Sequence, residues 1–433
     1  MSLLYLTEQG SKLSKSGDRL IVRSPDGELR LEIECRHVEA VLIFGNVQFT
    51  TQACVEMLSH GIEMALLTLS GKLHGQLTPP RPKNIDLRLR QYQIGAASEE
   101  HPEALALARE MIAGKIEGAV SVLRGTLKNY PDDALRRMAA DLEAAAARAL
   151  AAPDMATLRG VEGAAARAYF GALAACCRGE LVMQGRSSRP PLDPMNALLS
   201  FGYTLLGFEI AALIDAVGLD PYIGFFHSER HGRPALALDL LEEFRHPCVD
   251  RFCLTLNNQR VLKNADFQQA PDDDFAQQPP PAAPAPAPAP PAQPSGLNRV
   301  CPSQAGSEVV FVPADPSVRE VSISAPPAPA PSGFRLTPPA LKVFLARWNA
   351  HLNQPQAHVP GAPPRSWRQV LRAQVERLAA SVRSGAPYHS FIRSGPSTTS
   401  TAPNPSTPST LSTPSALSNP STPSTPSTFE AEP

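Results

Sequence analysis

Thr78 to Pro82, TPPRP, separates two kinds of text and limits this chain to an α+β arrangement, with a strand-rich beginning and a helical continuation. Before the break, Leu3-Leu4-Tyr5-Leu6, Arg19 to Arg23 and Leu29 to Glu34 read as strands, with Pro25-Asp26-Gly27 as a turn between the last two. Val38 to Phe44 is a continuous apolar run, which predicts a strand buried on both faces. Thr50 or Thr51 can cap a short helix to about Ser59, Glu63 to Leu69 returns as a strand, and Leu73 to Leu77 is the last. Lys12, Lys15 and His60 read as surface residues, and this part carries no catalytic constellation.

From Ile85 onward the pattern is helical. Ala104 to Gly125 places Leu105, Ile112, Ile116 and Val120 near helical spacing, with Arg109, Lys115 and Arg124 interspersed. Asp132 or Asp133 suits an N-cap for the alanine-rich run to Ala152. Met155 to Cys176 reads as one long helix dense in small residues. After a loop containing Pro190, Pro191 and Pro194, Asn196 to Val217 reads as an apolar helix. The 46 prolines concentrate late in the chain. Residues 268–332 are Pro/Ala-rich and 394–433 repeat Ser-Thr-Pro; such segments bury no core and read as a disordered insertion and a disordered tail. Few alternations at 308–324 suggest at most a marginal strand.

The formal net charge of −1 excludes little, but its distribution is informative. Residues 334–393 hold nine basic side chains against the single acid Glu376, a footprint suited to phosphate or, equally, an arginine-rich solvated helix face. The seven cysteines (35, 54, 176, 177, 248, 253 and 301) include no CxxC pair and read as reduced thiols. The amino terminus lacks the basic region and long apolar run of a signal peptide, and no apolar run approaches the roughly 20 residues of a membrane span. The expectation is a cytoplasmic protein with no membrane partner.

Two places carry chemistry. In PYIGFFHSERHGRPALALDLLEEFRHPCVDRFCLTLNN (221–258), a turn presents His227 ahead of a helix bearing Asp239, Glu242 and Glu243, with Leu236, Leu240, Leu241 and Phe244 as its apolar side. Separations of three and four residues let the carboxylates share one face. Carboxylates beside an imidazole suit a divalent cation, whereas the plainer alternative is a solvated acidic face with a turn histidine. The second place is Glu162, the only acid between Asp154 and Glu180, followed by Gly163, Ala164 and Ala165. A carboxylate in such surroundings is either paired or bound to a cation. Neither Cys-His nor Ser-His-Asp catalysis finds support: no serine sits in a strained turn context, and the cysteines lie in helical text.

Several segments match one family in the right order. GFFHSERHGRPALALDLLEEFR resembles the signature of the CRISPR adaptation integrases, the CRISPR-associated protein one family. Glu162 to Phe170 resembles that family's Glu-Gly-x-Ala-Ala-x-x-Tyr-Phe motif, and RPPLDPMNALLS with Tyr203 matches its next words. LTLNNQRVLKNADF (254–267), GFRLTPPALKVFLARWNAHLNQ (333–354) and RSWRQVLRAQVERLAASVRSGAPYHSFIR (365–393) resemble the later ones. The resemblance covers roughly 1–267 and 333–393.

It implies a small amino-terminal β-sandwich (1–78) used for pairing protomers, then a larger all-α catalytic domain (85–267) completed by basic carboxy-terminal helices (333–393). It implies Glu162, His227 and Glu242 as catalytic metal ligands for Mg²⁺ or Mn²⁺, with Asp239 as an outer-shell or alternate ligand. Glu243 is expected to face solvent or an arginine, Asp250 to form a salt bridge, and Asn196 and Tyr203 to orient the site or serve core hydrogen bonding. The implied activity is a metal-dependent DNA endonuclease and integrase that inserts short DNA fragments into a CRISPR array during adaptation. The implied partners are double-stranded DNA (prespacer and leader-repeat), a second copy of the chain and CRISPR-associated protein two. Candidate DNA contacts are Arg368, Arg372 and Arg377; Trp348 and Trp367 read as core. A non-catalytic DNA-binding scaffold and a transposon-associated integrase of the same fold are the alternatives. One departure is local: the family reads Glu-Phe-Arg-Pro where this chain inserts His246 before Pro247, so the helix beyond the site is expected to end differently.

Overall fold

The computed structural model describes residues 2–79, 84–188, 190–227, 233–270, 333–358, 361 and 363–393. Expectations for the Pro-rich insertion and the Ser-Thr-Pro tail lie outside the described residues, as does 228–232 of the signature.

The amino-terminal part stacks two four-stranded sheets. The first has the order β1 (Ser2–Leu6), β5 (Val38–Phe44), β7 (Glu63–Leu67), β8 (Leu73–Leu77); β1, β5 and β7 are parallel and β8 is antiparallel. The second has the order β4 (Leu29–Glu34), β3 (Arg19–Arg23), β2 (Lys12–Ser16), β6 (Gln48–Phe49). Strand β5 is buried on both faces, as its unbroken apolar run predicts. Val41 and Ile43 pack with Leu13, Leu20 and Met57 between the sheets, while Leu42 and Phe44 point to the helical layer. Alternation along a strand sends neighbouring side chains to opposite faces, so one run serves two cores. Helix α1 (Thr51–Ser59) begins where expected, with Thr50 Oγ1 accepting from Ala53 N–H.

The helical part comprises α2 (Ile85–Ala96), α3 (Pro102–Leu127), α4 (Asp133–Leu150), α5 (Met155–Cys176), α6 (Pro194–Val217), α7 (Ala235–Phe244), α8 (Arg251–Asn258), α9 (Pro338–Asn353) and α10 (Trp367–Ser384). Asp132, Asp154 and Asp193 cap α4, α5 and α6 by accepting backbone N–H bonds. Helix α6 is long and apolar enough to cross a membrane by length and composition alone, contrary to the reading that no stretch approaches a span. Here it is a core helix: Leu198, Leu199, Leu206 and Ile210 are fully enclosed. Antiparallel β9 (Phe267–Ala270) and β10 (Gly333–Leu336) flank the insertion, and their pairing carries ordered strand three residues past Phe267. Trp348 and Trp367 are core, as expected.

Between α7 and α8, Arg245–Asp250 forms a π-helical turn in which Arg251 N–H donates to His246 O, five residues back. Pro247 lacks the N–H that a regular α-helix would use, and the wider turn accommodates it. Gly118 on α3 makes room, since a Cβ there would stand 2.8 Å from Pro247 Cδ. The inserted His246 is therefore enclosed, with Nδ1 2.6 Å from Asp250 Oδ2.

Candidate active site

Helices α3, α5 and α7 bring one charged side chain each to a common point. Lys115 (α3) forms ion pairs with Glu162 (α5) and with Glu242 (α7), the latter at 2.8 Å. Arg245 Nη2 approaches Glu242 Oε1 at 3.2 Å, and His227 Nε2 stands 3.7 Å from the same oxygen. Lys115 and Glu242 are only 6% and 4% exposed. Glu162 and His227 are partly open, so the cluster meets solvent along their edge.

Burial alone would push the Glu242 carboxyl up, but the Arg245 and Lys115 charges outweigh it and hold the group well below the usual carboxylate range. Glu242 is thus ionised at neutral pH. Its enclosed Oε2 has the Lys115 ammonium nearby, but lacks a well-directed hydrogen bond. An ionised carboxylate oxygen is a hard donor of the kind a divalent cation takes.

Asp239 orients the site. Its Oδ1 accepts from His227 N–H at 2.9 Å and lies 2.7 Å from His227 Nδ1, and its Oδ2 accepts from Phe225 and Phe226 N–H at 2.6 and 3.0 Å. Both oxygens are therefore hydrogen-bonded, and Asp239 stands as the partner of His227. With Nδ1 on Asp239, Nε2 faces Glu242, the arrangement of a carboxylate-supported metal-binding imidazole. Gly224 permits it: a Cβ there would stand 2.8 Å from Asp239 Oδ2 and 2.9 Å from Ala235 Cβ.

The plainer reading of α7 as a solvated acidic face is overturned, since Asp239, Glu242 and Glu243 are all buried. Glu243 does not meet solvent or an arginine's solvated rim. It is 0% exposed and accepts from Tyr388 Oη, from Phe391 N–H at 3.1 Å and from Gln374 Nε2 at 3.2 Å. Burial pushes its carboxyl up to about 8 in spite of these donors. Nor is Asp250 a simple salt bridge. It accepts from Tyr203 and from Tyr169 Oη (2.8 Å) and pairs with His246. Tyr203 also lies under Arg245, whose Cζ is 4.6 Å from the ring centroid, so this network steadies the arginine beside Glu242. Asn196 knits the 185–196 loop: it accepts from Arg186 Nη1 at 2.9 Å and donates to Gly185 O at 2.7 Å.

Among the basic candidates, Arg368 is spent on the fold, pairing with Glu209 at 3.3 Å and donating to Asn353 and Asn349. It is not presented to a ligand. Arg372 is exposed, with a 3.3 Å contact to Glu39; Arg377 donates to Gln374 Oε1. Reading by pattern passed over Lys115 and Arg245. The signal for Lys115 was its place on the α3 face that carries Met111, Ile112, Ile116 and Ala119, all buried. A lysine on such a face needs anionic partners.

Among the described residues, one trio has ligand atoms all within 4.8 Å of one another: Cys35, Glu56 and His60, in the β part, where Glu56 is already paired with Lys15. Glu162, His227 and Glu242 stand wider apart, with the Lys115 ammonium between the two carboxylates.

Comparison with known proteins agrees with this architecture. The sequence pattern of the family described as CRISPR associated protein Cas1 matches residues 4–276. A CRISPR-associated endonuclease Cas1 of Rhodospirillum rubrum is 37% identical over 283 residues, covering 62% of this chain and 79% of that protein. One from Chlorobaculum tepidum is 35% identical over 277 residues, with the same coverage. Among solved structures, a casposase bound to integration product superposes with a TM-score of 0.67 at 20% identity, over 91% of this chain and 94% of that one. A Cas1 protein from Thermotoga maritima gives 0.64 at 20% identity, over 89% and 97%. A Cas6-RT-Cas1–Cas2 complex gives 0.66 at 21% identity, over 90% of this chain and 36% of that one. At these identities the structural likenesses establish fold.

Proposed function

The chain belongs to the CRISPR associated protein Cas1 family, and from that premise we propose that it is a divalent-metal-dependent DNA endonuclease and integrase that joins short DNA fragments into a CRISPR array. The observation that carries this reading is the alignment Asp239–His227–Glu242, to which Lys115 joins Glu162, with Glu242 held ionised. Glu162, His227 and Glu242 would hold Mg²⁺ or Mn²⁺. The bound ion supplies Lewis-acid polarisation of a phosphate and neutralises charge on its oxygens.

The protein's own residues set up the rest. Asp239 fixes the orientation of the His227 ring through Nδ1, which turns Nε2 toward Glu242. Arg245, stacked on Tyr203, keeps Glu242 charged and offers cationic density beside the reacting phosphate. In strand transfer, a 3′-hydroxyl oxygen bonds to phosphorus as the target strand's P–O3′ bond breaks, so the number of phosphodiester bonds is conserved. With water as the nucleophile the same geometry cuts DNA.

Contacts to DNA would run through the phosphate backbone, because inserted fragments vary in sequence while the protein does not. Arg372 and Arg377 are candidates on the basic carboxy-terminal helices. The partners proposed are double-stranded DNA, a second copy of the chain paired through the β-sandwich, and Cas2. That choice is supported by the similar solved structures, a casposase bound to integration product and a Cas6-RT-Cas1–Cas2 complex.

The test is joining of a short duplex with free 3′-hydroxyls to a supercoiled plasmid bearing a leader and repeat, with Mn²⁺ or Mg²⁺ and Cas2. Joined product is expected from wild type and lost in His227→Ala. Asp239→Asn should fall about 10- to 100-fold, the usual cost of removing an outer partner of a ligating histidine. Equal product from wild type and His227→Ala would remove His227 from the chemistry. DNA binding without product from any form would favour a scaffold.

A further inference from the structure

The charge count at the centre of the site has a consequence for its loading. Glu162 and Glu242 contribute two negative charges, and Lys115 and Arg245 contribute two positive charges in direct contact with them. Asp239 stands outside this balance, because three backbone N–H groups and His227 absorb it. The cluster is therefore neutral as it stands and buried on the Lys115 and Glu242 side. A divalent ion entering it would leave an excess of two positive charges in a poorly hydrated place, which is unfavourable. It would also contend for the same two carboxylates that the Lys115 ammonium already holds. One phosphodiester of DNA supplies a negative charge and an alternative acceptor for that ammonium.

Resting on the metal-site reading above, we propose that Lys115 couples metal loading to DNA binding: its ammonium competes with the divalent ion for Glu162 and Glu242 in the DNA-free protein, and passes to a phosphate oxygen when ion and DNA are bound together. The way out for the ammonium is the Glu162 side of the cluster, which opens to solvent. In this arrangement metal loading is weak until a phosphate arrives.

The experiment is calorimetric titration of Mn²⁺ into the full DNA-free chain, as wild type, Lys115→Met, Lys115→Arg and Glu162→Gln. Lys115→Met should bind Mn²⁺ at least about tenfold more tightly than wild type, since a contacting positive charge has gone. Lys115→Arg, which keeps the charge, should stay within about threefold. Adding a short duplex should tighten Mn²⁺ binding clearly in wild type and little in Lys115→Met, as linkage between two ligands requires. A second measurement needs no variant. Amine acetylation of wild type, read peptide by peptide by mass spectrometry, should label Lys115 slowly without Mn²⁺ and faster with saturating Mn²⁺. Equal or weaker Mn²⁺ affinity in a folded Lys115→Met, or labelling of Lys115 indifferent to Mn²⁺, would overturn the coupling. Loss of Mn²⁺ binding in Glu162→Gln would show that the metal site itself stands, so the two ideas fail separately. Undiminished binding in Glu162→Gln would overturn both.

Discussion

Glu242 and Glu243 are neighbours on α7, equally buried, and they are opposites in charge behaviour. Glu242 faces Lys115, Arg245 and His227 and is held ionised. Glu243 looks about 100° around the helix into Tyr388, Gln374 and the Phe391 N–H, and burial raises its carboxyl to about 8. One belongs to the proposed metal centre; the other clamps the chain's last described segment onto the core, next to Phe391, which stacks on Phe244 with centroids 4.7 Å apart. Residue type and burial are shared, so the neighbours alone decide which carboxylate is chemical and which is structural.

The largest contrast should appear in activity. Glu242→Gln should lower strand transfer by about a hundredfold or more, with the fold retained. A folded Glu243→Gln should keep most of it. Similar losses in both would erase the distinction.

Stability should show the reverse. Glu243→Ala leaves the Tyr388 hydroxyl, the Gln374 amide and the Phe391 N–H without their buried acceptor, and should cost about 3 kcal/mol in urea unfolding. Gly114→Ala probes the same side from α3. The new Cβ would stand 2.5 Å from Ser390 Cβ and 3.5 Å from Glu243 Cγ, so about 1–3 kcal/mol of overpacking is expected. Mn²⁺ binding, which depends on the other side of α7, should survive it.

The subtlest effect is in pH dependence, and the two residues have opposite signs. Because the folded Glu243 carboxyl is raised, its contribution to stability is fully present below the unfolded carboxylate range and is lost as pH rises through about 8. Glu243→Gln should flatten the decline in melting temperature between about pH 5 and 8. Glu242 is depressed, so its contribution is present above the unfolded range and is lost as pH falls below it. Glu242→Gln should flatten only the acid limb. Exchanged signs would mean the two environments had been misassigned.

Much of this molecule was legible before its structure. The unbroken run Val38–Phe44 marked a strand buried twice, Asp132 marked one helix start, and Met155–Cys176 marked a whole helix, because period and capping are local properties. Glu162, His227, Asp239 and Glu242 were also visible, through their residue types and their resemblance to a family. What the sequence could not disclose was how charges pair across helices. Lys115 lies 47 residues from Glu162 and Tyr388 lies 145 from Glu243, and only packing brings them together. The same limit explains why Arg368, in a basic stretch, proved to be a fold element, and why α7 is enclosed all round. Periodicity locates an element and its apolar side, but the ionisation of a buried carboxylate depends on which distant cations and donors surround it. The sequence alone therefore determined the elements and the donor types; the tertiary structure decided which carboxylate is charged, which is neutralised and which lysine stands between two of them.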